Sequence, residues 1–208
     1  MFKTSYNYKR NLDSHMMKNT EWGAVAYLTH SIYGKCNGTT CEEVYINNNI
    51  NYVTGWSGTS VSASSSISDG YAYSHASSVK ASSTGNYSGI YDLSGGAEDR
   101  VAAVRGSLTL GSGGFTSSDI STYNKKYYNT YSTRADGTST YTTRILGDAT
   151  AETVGWNGDY ANFVYSSGPW FRRGGDYSNT SDAGVFYFGD STGAAVSYNS
   201  FRVVLAID

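Results

Sequence analysis

Cysteine, histidine and charge are all scarce in this 208-residue chain: two Cys, three His, and only 15% Lys, Arg, Asp and Glu together. The charged residues are scattered and nearly balanced, with a formal net charge of −2. That leaves no electrostatic footprint for nucleic acid or an anionic membrane surface. No apolar run approaches the roughly 20 residues of a membrane helix. The opening MFKTSYNYKRNLDSHMMKN lacks the apolar core of a signal peptide, so export would depend on a segment outside this sequence or on another route.

The two cysteines, Cys36 and Cys41, lie in GKCNGTTCEE. Asn37 to Thr40 is a turn signal that brings the sulfurs together, which predicts a disulfide and an oxidising compartment; free thiols would leave the compartment open. The spacing is not that of a CxxC redox motif. With no third cysteine, and with His15, His30 and His75 showing no ligand spacing to the pair, no metal site is expected. Asp148 and Asp190 sit in loops where Ca²⁺ could bind, but no EF-hand spacing of acids occurs, so no cofactor is expected and Ca²⁺ stays the one alternative.

Catalytic patterns are equally thin. The histidines lie far from any GxSxG-like context that would supply a Ser/His/Asp triad. Glu98 and Asp99 are sequence neighbours and point apart rather than share a substrate. These absences favour a protein that is not an enzyme.

Tyrosine (20) and glycine (24) are what the chain has in abundance, alongside Ser, Thr and Asn. Antibody binding loops share this bias, because Tyr offers broad amphipathic contact and Ser, Gly and Asn offer adaptable hydrogen bonds. The final forty residues arrange it as a frame and a filling. The frame is PWFRRGG (Pro169 to Gly175), AGVF (Ala183 to Phe186) and SFRVVL (Ser200 to Leu205); the filling is DYSNTSD (Asp176 to Asp182) and GDSTGAAVSYN (Gly189 to Asn199). Gly174 and Gly175 would permit positive φ, Trp170, Phe171, Phe186, Phe188 and Phe201 would clamp the loops, and Arg173 and Arg202 would hold them through ion pairs or carbonyl contacts. Arg172 is as readily a solvated surface residue.

Periodicity predicts an amphipathic helix over Lys18 to Ile32, capped by Thr20, with Trp22, Val25, Ala26, Leu28 and Ile32 on its apolar face. A strand follows at Glu43 to Asn47. Residues Thr54 to Tyr87 read as surface loop, and Gly89 to Val104 as a second helix capped by Ser94 with Val101 and Val104 inward. The two glycines after Ser94 imply a close approach between the helix start and neighbouring backbone. Gly106 to Arg144 reads as a long irregular insertion, and strands are expected at Val185 to Phe188 and Phe201 to Ile207. Length suits one domain, 1–208, with 1–17 as an N-terminal extension.

The order EWGAVAYL, GIYDLSGGAEDRV, RRGGDY, AGVF, SFRVVL resembles the C-type-lectin fold of the formylglycine-generating-enzyme type, and within it the variable proteins diversified by retroelements. The resemblance implies an α+β fold with two helices, a small twisted antiparallel sheet and long irregular loops. It also implies a C-terminal segment, here 150–208, rewritten by adenine-directed mutagenesis to line a ligand-binding face. The formylglycine chemistry of catalytic relatives needs C-terminal cysteines, and none follows Cys41. Substituting the adenines of an asparagine codon yields Asp, Ser, Gly, Thr, Ala, Tyr or Val, all of which occur between Asp176 and Asn199.

These readings predict a non-enzymatic receptor-binding protein or adhesin, extracellular on a cell surface or virion, binding a protein or glycan ligand on a cell surface. The predicted ligand-binding residues are Asp176, Tyr177, Ser178, Asn179, Thr180, Asp182, Tyr187, Asp190, Ser191, Tyr198 and Asn199, with Asn157, Asp159, Tyr160 and Asn162 beside them. Tyr177, Tyr187 and Tyr198 would give most of the contact area. The alternatives are a fixed Ca²⁺-dependent lectin, or a structural pilus or phage surface module.

Overall fold

The computed structural model describes residues 1–50, 76–105, 110, 114–132 and 145–206. In chain order these contain α1 (Phe2–Tyr8), β1 (His15–Met16), α2 (Asn19–Thr29), β2 (Cys36–Asn37), β3 (Thr40–Cys41), β4 (Glu98–Arg105), α3 (Ser117–Ser121), β5 (Asn129–Tyr131), β6 (Trp170–Gly174), β7 (Gly184–Ser191), β8 (Asn199–Phe201) and β9 (Val203–Val204). The architecture is mixed α+β, with three α-helices among the described residues rather than the two expected. None of these is long and apolar enough to cross a membrane.

Strand β4 is the centre of the main sheet. One edge pairs antiparallel with β6, which pairs antiparallel with β7. Three separate segments share the other edge. Strand β8 runs parallel to Glu98, Asp99 and Arg100; the Met17 carbonyl accepts from the Ala102 N–H at 2.7 Å; and β5 runs parallel to Ala103, Val104 and Arg105. The sheet is therefore mixed, not purely antiparallel. Strand β1 pairs with β9, so residues 1–17 are woven into the fold and meet its C-terminal end.

The strand β4 corrects the helix expected over Gly89 to Val104. Glu, Arg and Ala favour helix intrinsically, but tertiary context overrides propensity when both faces of a strand can be buried. All of β4 except Arg105 is buried, so the alternation that would have marked a strand is missing. Val101 and Val104 do point inward, but to opposite faces: Val101 joins the cluster of Trp22, Ala26, Tyr131, Phe163, Phe171, Phe186 and Phe188, and Val104 that of Phe2, Met16, Leu110, Ile120 and Trp170. Each large side chain so buried contributes about 1.5–3 kcal/mol.

Glu43 to Asn47 is not a strand; its one ladder contact is an isolated bridge from Asn47 to Gly95. The close approach expected of the double glycine occurs here. Gly95 and Gly96 both have positive φ, and a Cβ on Gly95 would lie 2.3 Å from the Asn47 carbonyl oxygen. Helix α2 begins one residue after Lys18, whose N–H donates to Glu21 Oε2 at 2.8 Å, so Lys18 and not Thr20 occupies the cap. Trp22 and Ala26 are buried as expected, whereas Leu28 is 58% exposed on the outer face of the helix and Ile32 is 69% exposed beyond the helix end at Thr29.

A disulfide joins Cys36 and Cys41 across the β2/β3 hairpin. The expected C-terminal strand is two short ones, β8 and β9, interrupted at Arg202. The surface-loop reading of Thr54 to Tyr87 falls mostly outside the described residues, as do His75, Ile207 and much of the Gly106 to Arg144 insertion. The described part of that insertion supplies α3 and β5.

Candidate functional site

Alternation in β4 places Glu98 and Arg100 on one face of the sheet, and the register sets Arg172 of β6 opposite Arg100, and Gly189 of β7 opposite Arg172. Glu98 is fully buried. It bridges the two guanidiniums, with Arg100 Nη2 at 3.0 Å and Arg172 Nη1 at 2.7 Å. Gly189 makes room for this arrangement, since a Cβ there would lie 2.6 Å from Arg172 Nε. Burial pushes the Glu98 carboxyl above its usual range against the pull of both arginines. Burial also lowers Arg100, while at Arg172 burial is opposed by the charge and hydrogen bond of Glu98 together with Tyr187 and Asp190, and the guanidinium is raised.

Around this ionic cluster the C-terminal segment gathers. Asn199 accepts from Arg100 Nη2 at 2.8 Å through Oδ1 and donates to the Ala194 carbonyl at 2.9 Å. The Tyr198 carbonyl accepts from the Glu98 N–H. Tyr187 is buried under Arg172, whose guanidinium lies 5.8 Å from its ring, and exposed Tyr160 packs on Tyr187 with ring centroids 5.4 Å apart. Asn162 donates to Asp190 beside them. Arg172, read from sequence as equally a solvated residue, is thus a partly buried member of the cluster.

Other predicted residues turn out to shape loops from within. Asp176 is buried and accepts from the Ser178 N–H at 2.8 Å, while its own N–H donates to Asn179 Oδ1 at 2.7 Å. Asp159 is buried, and its Oδ2 accepts from the Phe186 N–H at 2.8 Å; burial raises its carboxyl to about 7. Ser191 is buried and caps the Gly193 N–H. With Tyr187 1% exposed, the large contact area expected of it is held inside the protein. The solvent-facing members are Asn157, Tyr160, Ser178 and Asp182, with Asn162, Tyr177, Asn179, Thr180, Asp190, Tyr198 and Asn199 partly exposed.

The frame behaves as its composition suggests. Gly174 and Gly175 have positive φ. Arg173 is fully buried and donates to the Ala149 carbonyl at 2.8 Å; Arg202 pairs with Asp99 at 2.6 Å and donates to the Asp92 carbonyl. Both guanidiniums lie over the Trp22 ring, and Trp22 Nε1 donates to the Val185 carbonyl at 2.8 Å, so α2 and the C-terminal segment hold each other. Phe201 is only partly buried, a weaker clamp than the other four aromatics.

No protein-family model matches this chain, and no curated protein matches it in sequence.

Beside the ionic cluster opens a cleft of about 370 Å³. Phe2, Met16, Phe115, Trp170, Ala194 and Ala195 form its apolar walls, and Arg100 and Asn199 border it. Sequence reasoning missed both cluster and cleft. The signal for the cluster was three consecutive charges, EDR, running into the apolar VAAV, which is hard to place in a helix without burying charge. The cleft had no local signal, because six separate stretches of the chain build it.

The described histidines, His15 and His30, and the candidate calcium ligands are already engaged. Buried His15 has Nε2 2.8 Å from Glu21 Oε1 and Nδ1 2.8 Å from the Asp13 carbonyl, two acceptors that favour the imidazolium and raise its pKa. Asp148 accepts from Tyr131 and Thr150. His30 lies beside Cys36 and Cys41, the only such cluster among the described residues, with the two sulfurs bonded to each other.

Proposed function

We propose that this chain is a non-enzymatic ligand-binding protein of the C-type-lectin-like type, displayed outside the cell or on a virion, whose C-terminal segment forms a diversified recognition face for a protein or glycan. The observation that carries the proposal is the match between frame, filling and burial. Frame residues Trp170, Phe171, Arg173, Phe186 and Phe188 are each at most 8% exposed. Filling residues such as Ser178, Asp182, Thr192, Ala195, Val196 and Ser197 face solvent. Their side chains can change without disturbing the core, which is how a rigid scaffold carries recognition loops.

Burial narrows the face. Tyr160, Tyr177 and Tyr198 are its aromatic contacts, Asn162, Asn179, Asp190 and Asn199 its adaptable polar ones, and Tyr187, Asp159, Asp176 and Ser191 lie beneath as support. The disulfide fits an oxidising, extracellular setting.

Sequencing the encoding locus across a population tests the proposal. The expected result is a near-copy of the final segment beside a reverse transcriptase, with adenine-directed substitutions at the solvent-facing positions and none at Trp170, Phe171, Arg173, Phe186 or Phe188. An invariant segment without a copy would overturn diversification. Binding of a selected ligand that survives combined Tyr160→Ala, Tyr177→Ala and Tyr198→Ala substitution would overturn the face.

A further inference from the structure

We infer that the cleft between α1 and the Gly193 to Asn199 loop is a second ligand site, built for a small molecule with an apolar body and a carboxylate. Its volume, about 370 Å³, falls in the range of roughly 300–1,000 Å³ typical of small-molecule sites. Apolar side chains dominate the lining, with the aromatic rings of Phe2, Phe115 and Trp170 on separate segments. Only two charged residues line it, Lys3 and Arg100, and both are cations.

Each cation has a distinct place. Lys3 is at the exposed rim, paired with Asp119 at 3.1 Å and lying 5.2 Å from the Phe115 ring centroid. Arg100 is 8% exposed, and its Nη2 serves both Glu98 and Asn199. Its Nη1 is buried with no hydrogen-bond partner among the described residues, so the guanidinium keeps donor capacity after its protein contacts are made. A buried donor left unmet costs about 1–3 kcal/mol, and a rotation of the cleft-lining guanidinium that brings Nη1 to an acceptor in the cleft recovers that cost. The planar fork of arginine matches a carboxylate, while the rings and Met16 suit an apolar body.

The site adjoins the recognition face proposed above and shares Ala195 and Asn199 with it, but its other walls come largely from residues 1–16, Arg100, Phe115 and Trp170. Its occupant would be a small molecule rather than a macromolecule.

Calorimetric titration of the intact protein with 2-naphthoate, octanoate and dodecanoate, each against its primary amide, tests the inference. At least one carboxylate should bind, with its uncharged amide about tenfold or more weaker, the loss expected for a charge-assisted hydrogen bond. Ala195→Trp, which fills the cleft from an exposed position and leaves Arg100 and its partners in place, should abolish that binding while circular dichroism stays native. Lys3→Gln should weaken it only slightly. Arg100→Lys keeps the charge paired with Glu98 but loses the fork, and should bring the carboxylate close to its amide. No binding of any carboxylate, equal binding of acid and amide, or binding unchanged in Ala195→Trp would each overturn the assignment.

Discussion

Replacing Asp159 by Asn should remove much of the dependence of folding stability on pH between about pH 4 and pH 7. In the native protein Asp159 Oδ2 accepts from the Phe186 N–H, and Oδ1 is buried without a hydrogen-bond partner among the described residues. Gly184 presses on the carboxylate so closely that a Cβ there would lie 2.1 Å from Oδ2. Burial raises the carboxyl to about 7, with the Phe186 N–H opposing and the Glu43 charge adding to the rise.

The folded pKa exceeds the unfolded one, so the native state holds the proton more tightly. Its stabilising contribution is complete below the ordinary value of 3.8, falls as pH rises, and is gone above about 7. At about 1.4 kcal/mol per pH unit, that interval corresponds to at most about 4 kcal/mol. Asn at this position keeps an acceptor for Phe186 and never ionises. Urea unfolding of both proteins from pH 4.5 to 8.5 measures the effect, and subtracting the two profiles cancels other titrating groups such as His15. The native protein should lose about 2–4 kcal/mol relative to Asp159→Asn across the range. Parallel profiles, or a native protein that gains on the variant as pH rises, would refute the reasoning.

Glu98→Gln strands two partly or fully buried guanidiniums and should cost about 3–5 kcal/mol by urea midpoint; a loss under about 1 kcal/mol would mean that water, not Glu98, carries those charges. Gly95→Ala meets both a positive φ and the Asn47 carbonyl, and should lower stability by about 2 kcal/mol or more, read as a fall in thermal midpoint. Reducing the Cys36/Cys41 disulfide reopens a short loop and should cost about 2 kcal/mol without altering the circular dichroism spectrum.

What could be read from the sequence was what local pattern encodes. The core of α2 was visible because Trp22 and Ala26 recur at helical spacing, β7 because Val185 to Phe188 is apolar and β-branched or aromatic, and the turn at Gly174 and Gly175 because only glycine adopts positive φ freely. Arg173 and Arg202 were legible as anchors from their aromatic neighbours. Strand β4 was hidden because its two buried faces erase alternation and its charges are neutralised by Arg172 and Arg202, some 70 to 100 residues away. The predicted site was overextended for a related reason. Asp159, Asp176 and Ser191 have surface-type side chains, yet each is spent on a backbone N–H, that of Phe186 in β7 and those of Ser178 and Gly193 in loops. No sequence window shows that a polar residue is reserved for such a task.

The three-part edge of β4 also bears on the order in which the protein can fold during synthesis. Until residues 199–204 have been made, β4 lacks its β8 partner and β1 lacks β9, so a strand with two apolar faces waits with part of its edge unpaired. Pairings at this sequence separation form slowly and leave the nascent chain prone to association. Closure of the sheet and completion of the Ser200 to Leu205 block are therefore one event. A truncated or stalled chain would present an open template for a neighbouring molecule, and a holding chaperone would find its target in that unfinished edge.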